Sequence, residues 1–222
     1  PEIEVRDAKA YFAALEKHGI LADAPTRRQV IASQIAALAK QAKGTLKQDE
    51  GLLDEVANLV EQPTALLGRF EEEFLELPVP VLTTVMKKHQ RYFAVEDKKG
   101  DLLPVFIAVR NGDDQGIDSV RSGNEHVIRA RFSDARFFYN EDIKRGLVDY
   151  LPKLKTLTFQ EQLGSYYDKS VRLESLAGRL GGLLGLADAE LDTAIRAARL
   201  AKADLATHMV VEMTSLQGIM GR

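Results

Sequence analysis

Tyr92-Phe-Ala-Val95 and Leu102-Leu-Pro-Val-Phe-Ile-Ala-Val109 flank Asp97-Lys-Lys-Gly100, and this arrangement leaves few folds open to the chain. Two β-rich segments around a short glycine-containing turn predict a β-hairpin. The second arm is apolar at nearly every position, which predicts an inner strand. Pro104 stands near the start of that arm, where a missing N–H does least harm. Most other segments read as helices, so the fold class is α+β and helix-rich, with a β-hairpin or small sheet.

Helices are expected over 7–18 and 26–43, the second opening after Pro25 and closing at Gly44, with Val30, Ile31, Ile35 and Leu38 at helical spacing. Asp49 is the expected N-cap of a third helix, which carries Leu52, Leu53, Val56, Leu59 and Val60 and stops before Pro63. Thr64-Ala-Leu-Leu-Gly-Arg-Phe70 reads as a short strand. Pro78 and Pro80 start another helix, with Val81, Leu82, Val85, Met86 and His89 on its apolar face. Asn111-Gly-Asp-Asp-Gln-Gly116 is a surface loop. Beyond it the pattern predicts helices over 118–140, 141–155, 158–185 and 188–208. The change from mixed to purely helical pattern places a domain boundary near 155, giving domains 1–155 and 156–222.

The chain has no cysteine, which excludes disulfides and thiolate zinc sites. No apolar run approaches the roughly 20 residues of a bilayer span. Pro1 follows no basic and apolar leader, there is no initiator methionine, and Leu216-Gln-Gly-Ile-Met-Gly-Arg222 looks like an interrupted element; a fragment of a longer protein is expected. The net charge of -3 argues against a globally basic nucleic-acid binder. Residues 82–145, with 12 Lys or Arg against 10 Asp or Glu, are the one net-positive stretch.

That stretch contains Met86-Lys-Lys-His-Gln-Arg-Tyr-Phe93 and Gly123-Asn-Glu-His-Val-Ile-Arg-Ala-Arg-Phe-Ser-Asp-Ala-Arg-Phe-Phe-Tyr139. Cations and amides interleaved with aromatic rings suit a phosphate backbone and stacked bases. Lys87, Lys88, Gln90 and Arg91 sit where a helix gives way to a strand, so they serve either the helix C-terminal dipole or a phosphate. Phe93 is expected in the core and Tyr92 on the outside. On a helical wheel Ile128, Phe132, Ala135 and Tyr139 share one face, with Val120, Val127 and Phe138 widening it. Glu125, Arg129 and Arg136 border that face, either as a solvated edge or as backbone contacts. Arg131 falls inside the apolar arc, either buried and paired with Asp134 or Asp142 or pointing into a groove that a ligand or partner completes. The four histidines have no metal-ligand spacing, no phosphate loop or nucleophile motif occurs, and no catalytic residue or metal site is expected.

Taken together, Leu52-Leu-Asp-Glu-Val-Ala-Asn-Leu-Val-Glu-Gln-Pro63, Leu82-Thr-Thr-Val-Met-Lys-Lys-His-Gln-Arg-Tyr-Phe93, Leu102 to Asn111, Gly123 to Tyr139, and Ala201-Lys-Ala-Asp-Leu-Ala-Thr-His-Met-Val210 with Leu216-Gln-Gly218 resemble the β subunit of bacterial two-subunit glycyl-tRNA synthetases. The match runs in the family's order from about residue 50 to the end. The resemblance implies a cytoplasmic aminoacyl-tRNA synthetase part that grips tRNA-Gly and the α subunit within an α2β2 assembly. ATP and Mg would be used by the α subunit, leaving no cofactor on this chain. On this reading the cation and aromatic pattern makes Lys87, Lys88, Arg91, Arg129 and Arg136 the candidates for backbone contact, with Tyr92 or Tyr139 for stacking.

The resemblance also implies that 156–222 are the first helices of a truncated, all-α, HD-like domain. Aligned with an HD metal pattern, the first His falls near Asp168 or Lys169 and the His-Asp doublet reads Ala203-Asp204. Asp204 alone survives, and one carboxylate without imidazoles is a poor divalent-metal site. It is expected to be structural, paired with Lys202 or Arg172 or capping a neighbour. The alternatives are a metal-dependent HD-type phosphohydrolase or a purely protein-interaction segment.

Overall fold

The computed structural model describes residues 5–222, which form two compact units dividing between Ser133 and Asp134. In the first unit, Asp7 accepts the Ala10 N–H at 2.8 Å and opens α1 (Ala8–Lys17). Asp23 does the same for Thr26 and opens α2 (Ala24–Gln41), two residues earlier than the pattern predicts, with Pro25 in the first turn where no N–H is needed. After β1 (Thr45–Leu46), Asp49 caps α3 (Glu50–Leu59) as expected, accepting from Leu52 at 3.0 Å. The expected strand is β2 (Pro63–Arg69).

Beyond it α4 (Val79–Thr84) runs without a break into a π turn over Val85–Gln90. The wider turn leaves Val85 and Met86 buried but His89 exposed, which corrects its expected place on the apolar face. Arg91 ends the turn at φ 55, and the chain enters β3 (Phe93–Glu96) and then β4 (Leu102–Asn111).

The sheet is antiparallel with order β1-β3-β4-β2, so β4 is the inner strand its apolar run requires. Val105 and Ile107 point to one face, against Ile31, Ile35 and Ala39 of α2 and Leu52, Leu53 and Val56 of α3. Phe106 points to the other, where its ring stacks on Tyr92 at 4.5 Å. Gly68 lies directly opposite Phe106, and a Cβ there would fall inside the ring. The outer edge of β2 is occupied by the Gln34 side chain: its amide donates to Pro63 O at 3.1 Å and accepts from Ala65 N at 2.8 Å. Arg27 is buried, and its guanidinium donates to the carbonyls of Ala57 and Leu21, both at 2.6 Å, joining the end of α3 to the loop before α2.

The long helix α5 (Ile117–Asp142) passes from the first unit into the second. Within the first unit Ile128 and Phe132 are fully buried, and Phe132 meets Phe70 and Phe74 at centroid distances of 5.0 and 5.5 Å.

The second unit continues with 3-10 turns over Leu147–Thr156. α5 ends at Asp142 and Pro152 has no N–H to continue an α-helix, so the separate helix expected over 141–155 does not form. Tyr150, Leu151 and Leu154 pack with Ala203, so this segment belongs with the C-terminal elements. A small hairpin of β5 (Thr158–Gln160) and β6 (Gly164–Ser165) replaces the start of the helix expected from 158. Helix α6 (Tyr166–Leu183) starts only after Ser165, whose hydroxyl accepts from Asp168 N while Ser165 N donates back to Asp168 Oδ2 at 2.7 Å. The expected 188–208 helix is divided into α7 (Asp188–Leu200), a 3-10 turn over Ala203–Ala206 and α8 (His208–Glu212), the last capped by Thr207. Gly178 and Gly181 of α6 lie against Ile195 and Leu191 of α7, a close helix approach rather than a ligand cradle.

Among the described residues the fold is therefore helix-rich α+β, with a four-stranded antiparallel sheet and a small hairpin.

Candidate nucleic-acid interface

The candidate cations of the first unit stand beside carboxylates. Lys87 Nζ meets Asp49 Oδ2 at 2.5 Å, Arg91 Nε meets Glu55 at 2.9 Å, and Arg129 Nε meets Glu71 at 2.5 Å. Lys88 is exposed beside the same Asp49 and lends it a smaller share of positive potential. Burial works against the Asp49 charge, but the Lys87 ammonium and the Leu52 N–H together hold its carboxyl below the usual range. Glu71 is likewise held low against burial, by a backbone N–H and by Arg129. These pairs are all partly solvated, so each contributes little to stability and can exchange partners.

Tyr92 departs from its expected outward orientation. It is 5 % exposed, stacked on Phe106, and its hydroxyl donates to Asn124 Oδ1 at 2.5 Å. Burial pushes its phenol pKa up to about 12. The reason is register: β3 begins at Phe93, and the αL residue Arg91 turns Tyr92 onto the second face of the sheet, under α5. The ring is therefore already stacked within the protein and has no free face for a base.

Arg131 is exposed, not buried, and Asp142 takes other partners. The buried stripe of α5 is the narrower one through Ile128, Phe132 and Ala135, which leaves Val127 and Arg131 on its open margin. Arg136 and Tyr139 are half-buried residues of the second unit.

One cleft in the first unit is lined by two of these groups, Arg91 and Tyr92. It has a volume of about 310 Å³. Its apolar wall comes from Val56, Leu59 and Val60 at the end of α3, with Val120 of α5. Its polar rim is Gln90, Arg91, Arg110 and Asn124, brought together from the π turn, β4 and α5. Leu59 is 60 % exposed on that rim. Arg110 Nη1 donates to the Gln115 carbonyl at 3.0 Å, a neutral partner. Arg110, Asn124 and Leu59 were not among the expected site residues. The only trace of Arg110 in the chain is a polar residue closing an apolar strand, and Asn124 lies one residue inside a motif valued for its arginines.

In the second unit Asp204 is 2 % exposed and its Oδ2 accepts the Gly218 N–H at 2.5 Å. It caps a backbone turn, one of its expected structural roles, while Arg172 donates instead to Leu163 O at 2.9 Å. Among the described residues no group of three or more His, Asp or Glu side chains is close enough to share a metal ion. No helix among them is long and apolar enough to cross a membrane.

Comparison with known proteins bears on the whole chain. The family described as glycyl-tRNA synthetase beta subunit matches residues 1–222. The chain is 51% identical over 220 residues to the glycine–tRNA ligase beta subunit of Clostridioides difficile (strain 630), 99% of this chain and 32% of that protein. It is 48% identical over 220 residues to that of Bacillus subtilis (strain 168), and 48% identical over 218 residues to that of Desulforudis audaxviator (strain MP104C), again 32% of each relative. The chain thus spans about a third of the length of these relatives, and over all of its own length it belongs to the glycyl-tRNA synthetase beta subunit family.

Proposed function

We propose that this chain is a tRNA-holding and subunit-docking part of glycine–tRNA ligase, the ATP-dependent enzyme that attaches glycine to tRNA-Gly. In this reading the adenylate and transfer chemistry, with its ATP and Mg, takes place on the α subunit, in a cytoplasmic α2β2 assembly. This chain supplies no catalytic group. The observation that carries the tRNA reading is the convergence of Arg91 and Arg110 with two side-chain amides on one cleft, from elements distant in sequence. Lys87 and Arg129 add cations whose carboxylate partners are solvated enough to yield to a phosphate, and Lys88 adds an exposed one. Arg136 and Tyr139 extend the set in the second unit.

The docking part of the reading has its own support. Leu176, Leu180 and Leu183 of α6 and Leu184, its C-cap, recur at helical spacing and are exposed, Leu183 to 86 %. A stripe of that kind is the mark of a protein contact. Residues 156–222 further read as the first helices of an HD-like domain without hydrolase chemistry, with Asp204 kept for its hold on Gly218 N–H.

The test is aminoacylation and tRNA binding by the α subunit with full-length β carrying Lys88→Glu and Arg129→Glu. Weaker tRNA binding with a flatter salt dependence is expected, each lost phosphate contact lowering the slope of log K against log salt by about 0.7–0.9. Unchanged tRNA binding by a folded protein would reject the tRNA role.

A further inference from the structure

We infer that the cleft between the end of α3, the π turn, β4 and α5 receives a single unpaired nucleotide of RNA; this rests on the tRNA-holding reading and sharpens it. Its volume of about 310 Å³ is at the small end of the roughly 300–1,000 Å³ of ligand sites. That admits one base with its sugar and excludes a duplex. An anionic occupant suits the rim, where Arg110 donates to a neutral carbonyl and Arg91 stands on the same cleft.

The occupant also presents a flat apolar face. Leu59 stands 60 % exposed beside the buried Val56 and Val60, a surface that water covers poorly and an aromatic ring covers well. Bases stack on apolar and guanidinium surfaces without sequence preference, and Gln90 and Asn124 offer amide edges that match the mixed donors and acceptors of a base edge.

The backbone is arranged to build this rim. A π turn inserts an extra residue before Arg91, and Arg91 itself is held at φ 55, a conformation that a non-glycine residue adopts at some expense. The two irregularities together bring Gln90 and Arg91 to the rim of the cleft, while the buried Tyr92 lines it from the core side and Phe93 enters the core. Asn124 is fixed by the Tyr92 hydroxyl and by its own donation to Val120 O at 2.8 Å, so its amide is oriented before any ligand arrives.

The experiment uses full-length β assembled with the α subunit and a tRNA-Gly transcript. Leu59→Glu and Arg110→Ala are both rim substitutions that leave the core intact, and each is expected to weaken tRNA binding roughly tenfold. Arg110→Ala should also lower the salt slope by nearly one, whereas Leu59→Ala should weaken binding with the slope unchanged. With p-benzoylphenylalanine in place of Leu59, irradiation should crosslink the protein to one unpaired nucleotide. If Arg129→Glu weakens tRNA binding while Leu59→Glu and Arg110→Ala do not, the cleft assignment is overturned and the tRNA reading survives. If none of the three changes binding, both fall. A crosslink to the α subunit, or to base-paired stem only, would also overturn the single-nucleotide site.

Discussion

Asp142 and His208 lie 66 residues apart in sequence and meet through a 2.8 Å contact between Oδ1 and Nδ1. The same carboxylate accepts the backbone N–H of His208 at 2.9 Å and of Met209 at 2.8 Å, and the Tyr150 hydroxyl at 3.1 Å. Asp142, the last residue of α5, thereby supplies the acceptors that the first turn of α8 lacks. Burial, with the Asp142 charge second, pushes the Tyr150 phenol pKa up.

Removing that carboxylate should loosen the second unit. Asp142→Ala is expected to destabilise it by about 2–4 kcal/mol, because the buried Met209 N–H, the part-buried His208 N–H and the Tyr150 hydroxyl lose their acceptor together. Tyr150→Phe removes one donor and is expected to lower stability by about 1 kcal/mol. Denaturant melts measure both, and hydrogen exchange at the Met209 amide should accelerate in Asp142→Ala alone. Equal melts for Asp142→Ala and the unsubstituted protein would show that the carboxylate does not hold α8.

Arg27 makes the corresponding prediction in the first unit. Arg27→Met keeps the aliphatic stem and abandons the carbonyls of Ala57 and Leu21, with an expected loss of about 2–3 kcal/mol in chemical unfolding. Arg27→Lys should recover only part of it, since one ammonium cannot match the planar fork that reaches both elements.

Asp49 links stability to pH. Its carboxyl is held below the usual value of 3.8, against burial, by Lys87 and by the Leu52 N–H. A depressed folded-state pKa adds stability that is fully present above the unfolded value and disappears as pH falls through the folded one. Asp49→Ala should therefore be about 1 kcal/mol less stable than the unsubstituted protein at neutral pH. That gap should narrow below about pH 4, where the charge is lost. Thermal melts from pH 7 to pH 2.5 follow it, and a gap independent of pH would exclude the charge as its source.

The carboxylates paired with the candidate cations predict a gain as well as a loss. Glu71→Gln and Glu55→Gln release Arg129 and Arg91, and are expected to tighten tRNA binding by about two- to fivefold, the range of a surface ion pair. Filter binding with full-length β and α at fixed salt measures this. Lower stability with unchanged binding would assign these arginines a structural role only.

Gly68 tests the packing of the second sheet face. Gly68→Ala puts a methyl group into the Phe106 ring, and about 1–3 kcal/mol of destabilisation is expected from overpacking. Because Tyr92 stacks on Phe106, the change should also disturb the Tyr92 to Asn124 hydrogen bond, visible as a shifted tyrosine absorbance titration.

Much of the first unit was legible from residue order because its signals are local. The apolar run at Leu102 to Val109 demanded an inner strand, and β4 is one. Asp49 capped α3 where a short polar side chain before an apolar period says it should. The later pattern was less legible for reasons that are also physical. The Ser165 and Asp168 capping pair marks a helix start, and Gly164 at φ 80 marks the turn before it, yet both are hidden in a stretch whose apolar spacing suits a helix throughout. Leucines 176, 180, 183 and 184 fit a core-facing stripe equally well, but the structure leaves them exposed.

The sequence by itself determined the family, the class of fold and most element starts, because caps, periodicity and motif order act within a few residues of one another. Which side of an element is covered is a property of what packs on it, and only the tertiary structure decided that. It drew Tyr92 inward onto Phe106, left Arg131 in solvent and matched Lys87, Arg91 and Arg129 with carboxylates from 38, 36 and 58 residues away. It also brought Arg110, Asn124 and Leu59 to one cleft with Arg91. Those pairings depend on long-range placement of side chains, and no local pattern records it.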